Sequence, residues 1–375
     1  MPDQLLLDLF KAYFSARQNK RNTPPALEFE LNYEKEIFKL YKELKDGSYE
    51  ISKSTAFIIF DPVQREIIAS SFRDRIIYHL VFNYINPIFE PTFIYDSYSC
   101  RKNKGTHFGI NRINSFIRAC SDNYQKEAYI LKLDISGYFM SINKKILWNK
   151  IRSVLLKNKE KCNFDFFIIL SLIKKIVFHN YTKNYIIKGN KNNWSSLPRN
   201  KSLFFAKNNC GLPIGNLTSQ LFSNIYLNSL DHFIKRDLKY KYYGRYVDDF
   251  IIIDNNREKL KNSIKVIKKY LKTELGLEIN PKKIYLQNFK KGVSFLGVKI
   301  KPYRIYISNR TKNNFYKKIN NVKGCLLNNE LNIVSSINSY LGAMKHYNNY
   351  KLRKKILENL NFNNIIIDKN FYKIS

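Results

Sequence analysis

The chain has 375 residues, of which 44% are hydrophobic and 15% aromatic, and its formal net charge is +35. This hydrophobic content excludes a disordered tail, and the length predicts two or three subdomains. So large a positive charge favours a polyanionic partner, with nucleic acid as the first candidate and a membrane surface as the second. A coding bias toward Lys, Asn, Ile and Tyr would also raise the charge, but it would not produce the ordered motifs described below.

The cysteines and the apolar segments indicate the cellular compartment of the protein. The cysteines are scattered without a CxxC pair, which predicts reduced thiols rather than a zinc site or a disulfide framework. The first residues, MPDQLLLDLFKAYF, have the pattern of an amphipathic helix rather than that of a signal peptide. The most apolar run, FFIILSLI, is too short to span a bilayer. We therefore expect a cytoplasmic protein with no membrane partner.

The first third of the chain is predicted to be mainly helical. Residues 1–60 favour helices with a break at NTPPALEF, and the apolar spacing from Pro62 to His79 is typical of a helix. The segment SYSCRKNKGTHFG then predicts a basic turn that contains Gly105 and Gly109.

The middle of the chain alternates between strand and helix patterns. AYILKLDISGYFMSI predicts a strand that ends at Asp134, followed by a turn at Gly137. Residues 144–180 are predicted to be helical and residues 188–210 to form a polar loop. The segment that opens with GLPIGN is predicted to continue as a helix.

The last third begins with the stretch YYGRYVDDFIIID. It predicts a hairpin with Val247, Asp248 and Asp249 in its turn, and a helix is predicted near 257–275. GVSFLGVKI predicts a short strand pair, and the tail from about residue 305 is basic and mainly helical. This mixture of helices and short antiparallel strands predicts an α+β fold rather than a doubly wound sheet.

The adjacent aspartates of this hairpin point to a cation. Asp248 and Asp249 repel each other unless a positive charge lies beside them, and hard divalent cations such as Mg²⁺ prefer carboxylate oxygen. Asp134 ends another apolar strand and supplies a third carboxylate. Three such aspartates would bind two metal ions about 4 Å apart, as in enzymes that displace a group at phosphorus. Each piece alone has an ordinary explanation as a solvated turn or a helix cap.

These segments, in this order, resemble the sequence boxes of a bacterial reverse transcriptase. YVDD resembles the most distinctive box of that family, and LKLDISGYF resembles the box of the first catalytic aspartate. GLPIGNLTSQLFSNIYLNSLD resembles the template and nucleotide helix box, LGLEINPKKIYL the lysine box, and VSFLGVKI the primer-grip hairpin. FRDRIIYHLVFNYINPIFEPTF and SYSCRKNKGTHFG resemble the finger boxes, so the resemblance extends from about residue 60 to residue 300.

The resemblance implies a right-hand polymerase fold and the activity of an RNA-directed DNA polymerase. It implies an N-terminal helical extension at 1–60, fingers and palm with an antiparallel sheet at 61–300, and a short basic helical thumb at 301–375. Such a thumb would grip a duplex through its phosphates. The expected partners are dNTPs, a template RNA and the RNA/DNA hybrid.

The resemblance also implies which residues are catalytic. Asp134, Asp248 and Asp249 would be catalytic carboxylates and metal ligands. The backbone carbonyl of Ile135 would help to hold the second of two Mg²⁺ ions, for which Mn²⁺ would substitute. Phe139, five residues after Asp134, would exclude a nucleotide 2′-hydroxyl as a steric gate, unless it is an ordinary core residue.

Further residues are expected to contact the nucleotide or the primer. Arg101, Lys102 and Lys104 are candidates for the triphosphate or the template, although basic loop residues are often only solvated. Either Lys282 or Lys283 would protonate the leaving pyrophosphate, and the sequence does not choose between them. The remaining expected contacts are Ile214, Gly215 and Gln220 in the nucleotide helix box, and Phe295, Leu296 and Gly297 in the primer-grip hairpin.

The nucleotide helix box departs from the form found in many reverse transcriptases. Ile214 stands where many members carry Gln, and Gln220 stands where they carry Pro. The IGNLTSQ form, the preceding LPRNKSLF and the segment at 336–357 resemble the diversity-generating retroelement branch, among relatives of retrons and group II introns. Enzymes of that branch misincorporate nucleotides at template adenines. The resemblance also implies a small basic oligomeric accessory protein as a partner.

Two other interpretations stay open. A retron or an antiviral phage-defence reverse transcriptase would share these boxes without targeted hypermutation. A catalytically idle RNA-binding scaffold would share the fold, but it has no physical need for three aspartates in a basic groove. After Lys299 the only acidic side chains are Glu330, Glu358 and Asp368, and the only histidine is His346. We therefore expect neither an RNase H site nor a zinc endonuclease in the tail.

Overall fold

The computed structural model describes residues 3–18, 20–61, 63–323 and 330–358. The chain divides into two compact units, and each is described by itself. The first unit comprises Met1–Gly105, Lys132–Phe250 and Lys261–Ile284, and the second comprises Thr106–Leu131, Ile251–Leu260 and Tyr285–Ser375. Parts of the predicted thumb, at 324–329 and 359–375, lie outside the described residues.

Helices account for most of the regular structure. They are α1 (Gln4–Arg17), α2 (Pro24–Glu30), α3 (Tyr33–Lys45), α4 (Phe72–Phe89), α5 (Thr106–Cys120), α6 (Tyr138–Ser141), α7 (Lys144–Lys157), α8 (Phe166–Phe178), α9 (Leu217–His232), α10 (Arg257–Leu275), α11 (Asn309–Lys323), α12 (Glu330–Met344) and α13 (Tyr350–Glu358). Across the part of the chain that the structure describes, no helix combines the length and the apolar character needed to cross a bilayer.

The strands are short and form three sheets. They are β1 (Ser54–Ile59), β2 (Arg65–Ala69), β3 (Tyr129–Asp134), β4 (Tyr185–Ile187), β5 (Tyr242–Tyr246), β6 (Asp249–Asp254), β7 (Tyr285–Asn288), β8 (Val293–Phe295), β9 (Val298–Lys301) and β10 (Arg304–Ile307). The sheet orders are β2-β1-β4, β5-β6-β3-β7 and β10-β9-β8. The β1–β2, β8–β9 and β9–β10 pairs are antiparallel, whereas β1 and β4 are parallel. The predicted α+β fold is confirmed.

Several predictions about the first third of the chain are wrong in detail. The helical prediction for residues 1–60 fails at β1, and the helical prediction for residues 62–79 fails at β2. Each strand contains only three or four adjacent apolar residues, for which periodicity does not separate a strand from a buried helix. Gly109 is not in the predicted turn but is buried inside α5.

Other element predictions hold with adjustments. The predicted break at NTPPALEF is shorter than expected, because α2 begins at Pro24, and proline is well tolerated at the start of a helix. The predicted helical stretch at 144–180 is two helices, and the second is capped by Asp165, which accepts a hydrogen bond from the amide of Ile168. The helix predicted near 257–275 is confirmed as α10.

Each unit has its own apolar core. In the first unit α4 packs against both α1 and α9, and α9 buries the polar side chains Asn224 and Asp231 as well as apolar ones. In the second unit a buried cluster joins β10 to the last three helices, and its members are Ile307, Phe315, Ile319, Ile337, Leu341, Met344, Ile356 and Leu357. Because buried polar groups need hydrogen-bond partners, Asn224 and Asp231 are expected to bind other polar groups in this core.

Candidate functional site

The turn between β5 and β6 presents the paired aspartates. It has two residues, Val247 and Asp248, and Asp249 is the first residue of β6. Val247 has a φ of 55°, which is a left-handed conformation that β-branched residues rarely adopt. Such a conformation costs about 1–3 kcal/mol and persists only where the surroundings enforce it. The aspartates therefore follow a strained point in the backbone.

Backbone hydrogen bonds bring the end of β3 to this turn. The amide of Ile135 donates to the carbonyl of Asp248 over 3.3 Å. On the other side, the amide of Asn280 donates to the carbonyl of Asp134 over 2.8 Å, and the amide of Ser136 donates to the carbonyl of Glu278 over 2.8 Å. The backbone after β3 thus links the turn that carries the paired aspartates to the segment that carries the lysine box.

The carboxylates influence one another electrostatically. Burial, reinforced by the negative charge of Asp134, raises the pKa of Asp248 to about 6. Burial also raises the pKa of Asp249 to about 6, although the ammonium group of Lys132 opposes that rise. Since Asp134 acts on both groups, the three carboxylates share one local field. The structure therefore brings the three predicted aspartates together, and their catalytic role stays a prediction.

Two lysines supply positive charge to these acids. The Nζ atom of Lys283 lies 2.9 Å and 2.8 Å from the two carboxylate oxygens of Asp134. The Nζ atom of Lys132 lies 2.9 Å from Oδ2 of Asp249. Asn280 helps to place Lys283, because its side chain caps the short turn Pro281–Lys283 by accepting from the amide of Lys282. Sequence reasoning named Lys283 but missed Lys132.

The donor chemistry fits a divalent cation. All three side chains offer hard carboxylate oxygen, and the buried Oδ1 atom of Asp249 has no hydrogen-bond partner. As placed, no three acidic, histidine or cysteine side chains within the described ranges are grouped so that they could hold a metal ion. Lys283 contacts both oxygens of Asp134, so binding through Asp134 requires this lysine to move.

The predicted steric gate and the nucleotide helix box share one apolar cluster. Phe139 and Ile214 are half-buried and pack against the same group, whose buried members are Ala56, Ile68, Met140, Tyr181 and Leu203. Gly215 has a φ of 125°, and a Cβ atom there would lie 3.0 Å from Ile67, so a larger residue would be both strained and crowded. Gln220 is exposed on α9. The gate and nucleotide roles of these residues stay predictions.

The basic finger residues have partners inside their own loop. The guanidinium of Arg101 donates to Glu90 over 2.8 Å and to the carbonyls of Ile94 and Ser97 over 2.7 Å and 2.9 Å. The Nζ atom of Lys104 donates to the carbonyl of Tyr95 and lies 3.5 Å from the centre of its ring. These contacts give both cations a structural role in the loop. Their predicted contact with triphosphate or template remains a prediction, as does that of the exposed Lys102.

The predicted primer-grip residues lie in the second unit. Phe295 is buried at the end of β8, and Leu296 and Gly297 form a two-residue turn with φ values of 49° and 85°. The carbonyl of Gly297 accepts from the amide of Ser308 over 2.9 Å and from the hydroxyl of Thr311 over 3.0 Å. This turn is anchored to the start of α11, and its contact with a primer remains a prediction.

An α+β architecture with carboxylates from a hairpin and from a neighbouring strand end is typical of nucleic-acid polymerases with a right-hand fold. Residues 63–300 match the family model described as reverse transcriptase (RNA-dependent DNA polymerase). This match covers more than half of the 375 residues. The chain therefore belongs to the reverse transcriptase family. The predicted family is confirmed at this level, and its bacterial retroelement branch stays a prediction.

Solved structures offer distant likenesses. The chain is similar to an apo telomerase from Candida tropicalis truncated from its C-terminal domain, with 14% identity and a TM-score of 0.49, over 69% of this chain and 55% of that one. It is also similar to a telomerase from Candida albicans in complex with a fragment of telomeric RNA, with 12% identity and a TM-score of 0.47, over 83% and 56%. The chain thus spans about half the length of these telomerases. Among curated proteins no sequence match is found.

Proposed function

We propose that the protein is an RNA-directed DNA polymerase that extends a primer with dNTPs on a template RNA. The family match of residues 63–300 supports this class of activity. The observation that carries the proposal is the backbone hydrogen bond of 3.3 Å from the amide of Ile135 to the carbonyl of Asp248, which brings the end of the strand with Asp134 to the turn with Asp248 and Asp249. The charge of Asp134 raises the pKa of both turn aspartates, in keeping with this arrangement. The strongly positive chain, with a formal charge of +35, suits a polyanionic template.

The proposed chemistry is nucleotidyl transfer at the three carboxylates. Two Mg²⁺ ions held there by Asp134, Asp248, Asp249 and the carbonyl of Ile135 would activate the primer 3′-hydroxyl and neutralise charge on the phosphates. The chain's own contribution is to hold its carboxylates in one place. Burial of Asp248 and Asp249 strengthens their attraction for a cation, because charges interact more strongly away from water.

Lys283 is our choice for the residue that protonates the leaving pyrophosphate. Its Nζ atom already contacts Asp134, and this contact distinguishes it from Lys282, since both lysines are exposed. Once released from Asp134, its ammonium group would be free to approach a phosphate bound at the carboxylates. A positioned ammonium group can then donate its proton to a phosphate oxygen as that oxygen becomes a leaving group.

Phe139 is proposed to select dNTPs over ribonucleotides. Its ring is half-buried and lies edge-on to the ring of Tyr138, with centroids 5.4 Å apart. Tyr138 itself is buried, and its hydroxyl donates to the carbonyl of Ser223 over 2.6 Å. A ring supported in this way has little freedom to move aside for a 2′-hydroxyl.

Primer extension with Mg²⁺ and dNTPs tests the activity. We expect Asp248→Asn to lower the extension rate by at least about 100-fold, because loss of a metal-binding carboxylate removes several kcal/mol of charge stabilisation. Asp254→Asn is the matched control, since Asp254 ends the same strand and pairs with Lys259 over 3.0 Å. This control should extend the primer at the rate of the parent.

The same experiment separates the enzyme from an idle scaffold. A parent protein that binds RNA but does not extend any primer would support the scaffold. Equal extension by the parent and by Asp248→Asn would refute the assignment of the catalytic carboxylates.

Within the family, we assign the chain to the diversity-generating retroelement branch. The support is the IGNLTSQ form of the nucleotide helix box, in which Ile214 packs with Phe139 against one apolar cluster. A glutamine amide beside the nascent base pair would add a polar check of its geometry, and the apolar Ile214 lacks it. Error-prone synthesis at template adenines, together with a small basic oligomeric accessory protein as partner, belongs to this proposal.

Replacing Ile214 tests the branch assignment. We expect Ile214→Gln to lower misincorporation opposite template adenine several-fold, with the extension rate changed less than about threefold. Sequencing of the cDNA made on a defined template RNA measures both the position and the type of error. Ile214→Leu is the matched control and should keep the error spectrum of the parent. An unchanged spectrum in Ile214→Gln would favour a retron or phage-defence enzyme without targeted hypermutation.

The remaining parts of the proposal concern the ends of the chain and its location. We propose a helical extension at 1–60, fingers and palm at 61–300, and a basic thumb at 301–375, the last contacting an RNA/DNA hybrid through phosphates. Exposed cations of α13, such as Lys351 and Lys354, suit such contacts. A cytoplasmic location, where free thiols such as Cys120 stay reduced, completes the proposal.

A further inference from the structure

Arg245 and Asp231 form an ion pair that is wholly buried in the first unit. Both side chains have 0% exposure. The Nε atom of Arg245 donates to Oδ1 of Asp231 over 2.7 Å, and Nη2 donates to Oδ2 over 2.7 Å, so the pair is bidentate. Tyr243 adds a third bond to the same carboxylate over 2.6 Å. The pair joins β5, immediately before the aspartate turn, to α9.

The guanidinium of Arg245 has an acceptor for each of its donors. Besides Asp231, Nη2 donates to the hydroxyl of Ser97 over 3.2 Å. Nη1 donates to the carbonyl of Val247 over 2.9 Å and lies 3.5 Å from the side-chain oxygen of Asn224. Since all five N–H groups point at oxygen, the guanidinium has one preferred orientation. The bond to Val247 is the one that reaches the turn.

Both backbone polar groups of Val247 are held by this buried network. Its carbonyl accepts from Arg245, and its amide donates to the hydroxyl of Ser99 over 3.2 Å. That hydroxyl donates in turn to Asn224 over 3.2 Å, and the side chain of Asn224 donates back to the carbonyl of Ser99 over 2.9 Å. Val247 is the residue with the left-handed backbone. The network therefore hydrogen-bonds both the amide and the carbonyl of the strained residue.

We propose that Arg245 and Ser99 are positioning residues for the catalytic carboxylates. By fixing the peptide planes on both sides of Val247, they set the direction in which the chain enters Asp248 and Asp249. This inference rests on the proposed polymerase function, and it adds residues that contact neither substrate nor metal. A small misplacement of a catalytic group is enough to slow a reaction strongly, which is why the support of such a turn matters.

A merely structural role would look different in experiment. A buried ion pair contributes little net stability compared with apolar side chains of the same volume, but losing one partner is costly. If the network only stabilised the unit, its loss would lower the melting temperature and the amount of active protein, without a change in kcat per folded molecule. The decisive measurement is therefore kcat per folded molecule. It is compared between chains that carry the strained Val247 and chains in which glycine removes that strain.

The experiment is a double-mutant cycle by primer extension on the full chain. Ser99→Ala and Arg245→Lys are each made in the parent and in the Val247→Gly background. In the parent background we expect each to lower kcat about tenfold while KM for dNTP stays within about threefold. In the Val247→Gly background the loss should shrink to about threefold or less, because glycine adopts the left-handed conformation without support.

The matched control is Ser121→Ala. The hydroxyl of Ser121 is likewise buried and accepts from the amide of a left-handed residue, Tyr124, over 3.0 Å. The same hydroxyl donates to the carbonyl of Ile117 over 2.7 Å. We expect this control to change stability but to leave kcat at the parental value. Should Arg245→Lys fail to fold, Ser99→Ala carries the test, because it removes a single hydroxyl.

Two results would overturn the proposal. One is parental kcat in both Ser99→Ala and Arg245→Lys. The other is an equal loss in both backgrounds that follows the melting temperature. Binding of Mn²⁺ measured by electron paramagnetic resonance separates this outcome from failure of the polymerase proposal. A parent that binds Mn²⁺ without extending a primer would contradict the proposed polymerase activity. The Mn²⁺ affinities of the variants would then test the positioning role. Weaker binding in the variants than in the parent would support that role, and unchanged binding would refute it.

Discussion

Two turns of the same length are built in different ways. The turn of Val247 and Asp248 and the turn of Leu296 and Gly297 each join consecutive strands through two residues. In the second turn both residues have positive φ, and glycine occupies the second position, as is usual in hairpins whose turn matches the strand twist. In the first turn only Val247 has positive φ, at a position where such hairpins normally use glycine.

The difference lies in what stabilises each backbone. The second turn relies on glycine and on bonds from Ser308 and Thr311 to the carbonyl of Gly297. The first turn relies on the buried side chains of Arg245 and Ser99. Glycine adopts the left-handed backbone with little strain and can also leave it. A turn held by a buried hydrogen-bond network is restricted to a single conformation. The conformationally fixed turn is thus the one next to the residues that we propose to be catalytic.

The largest expected effect follows from breaking the support of the first turn. Asp231→Asn leaves the buried guanidinium of Arg245 without a carboxylate and should lower the free energy of unfolding by about 3–5 kcal/mol. Urea denaturation followed by circular dichroism measures it. Asp254→Asn, which breaks a partly exposed pair with Lys259, should cost at most about 1 kcal/mol. Similar losses in both variants would contradict the special role of the buried pair.

An intermediate effect concerns the charges around the first turn. Lys283→Met should lower kcat for primer extension about 10- to 100-fold, because the proposed proton donor is lost. Lys282→Met is the matched control and should stay within about threefold of the parent. Rapid-quench measurement of single-nucleotide addition gives both rates. If Lys282→Met were the slower variant, the general acid would be assigned to the wrong lysine.

The smallest effect is expected in the second turn. Gly297→Ala meets only the hydroxyl of Thr311 at 3.5 Å, so its cost should come from the left-handed backbone and amount to about 1 kcal/mol of unfolding free energy. Gly276→Ala is the control, since Gly276 also has positive φ and open space around it. Both should cost the same, but only Gly297→Ala should raise KM for the primer-template. Equal KM values would contradict the primer-grip prediction.

Hydrophobic patterns predicted much of the fold. The long apolar runs that end at Asp134 and follow Asp249, and the helical period of α10, gave the right elements because their signals extend over enough residues. The strands β1 and β2 were missed because a run of only three or four adjacent apolar residues fits a buried helix equally well. Pairing with β4, far along the chain, decides in favour of strands, and no local pattern contains that information.

The site was predictable where chemistry shows in residue type and order. The three aspartates were noticed because each lies at the end or the start of an apolar strand pattern, and their order along the chain resembles that of a known family. The lysine box was found through the same resemblance. Lys132 carried a usable signal, since it lies two residues before Asp134 and alternation places both on one face of β3. Arg245 and Asp231 carried none, because their partnership joins a strand to a helix fourteen residues earlier. Only tertiary structure shows that both are buried.

The ammonium groups of Lys132 and Lys283 have a practical consequence. They partly neutralise the acidic cluster from within the chain, through contacts of 2.9 Å to Asp249 and of 2.8–2.9 Å to Asp134. We therefore expect this region to fold without an external ion, unlike small zinc domains, which unfold without metal. A chelator should therefore abolish primer extension while the protein stays folded. Adding magnesium to a stored, chelated sample should restore the activity.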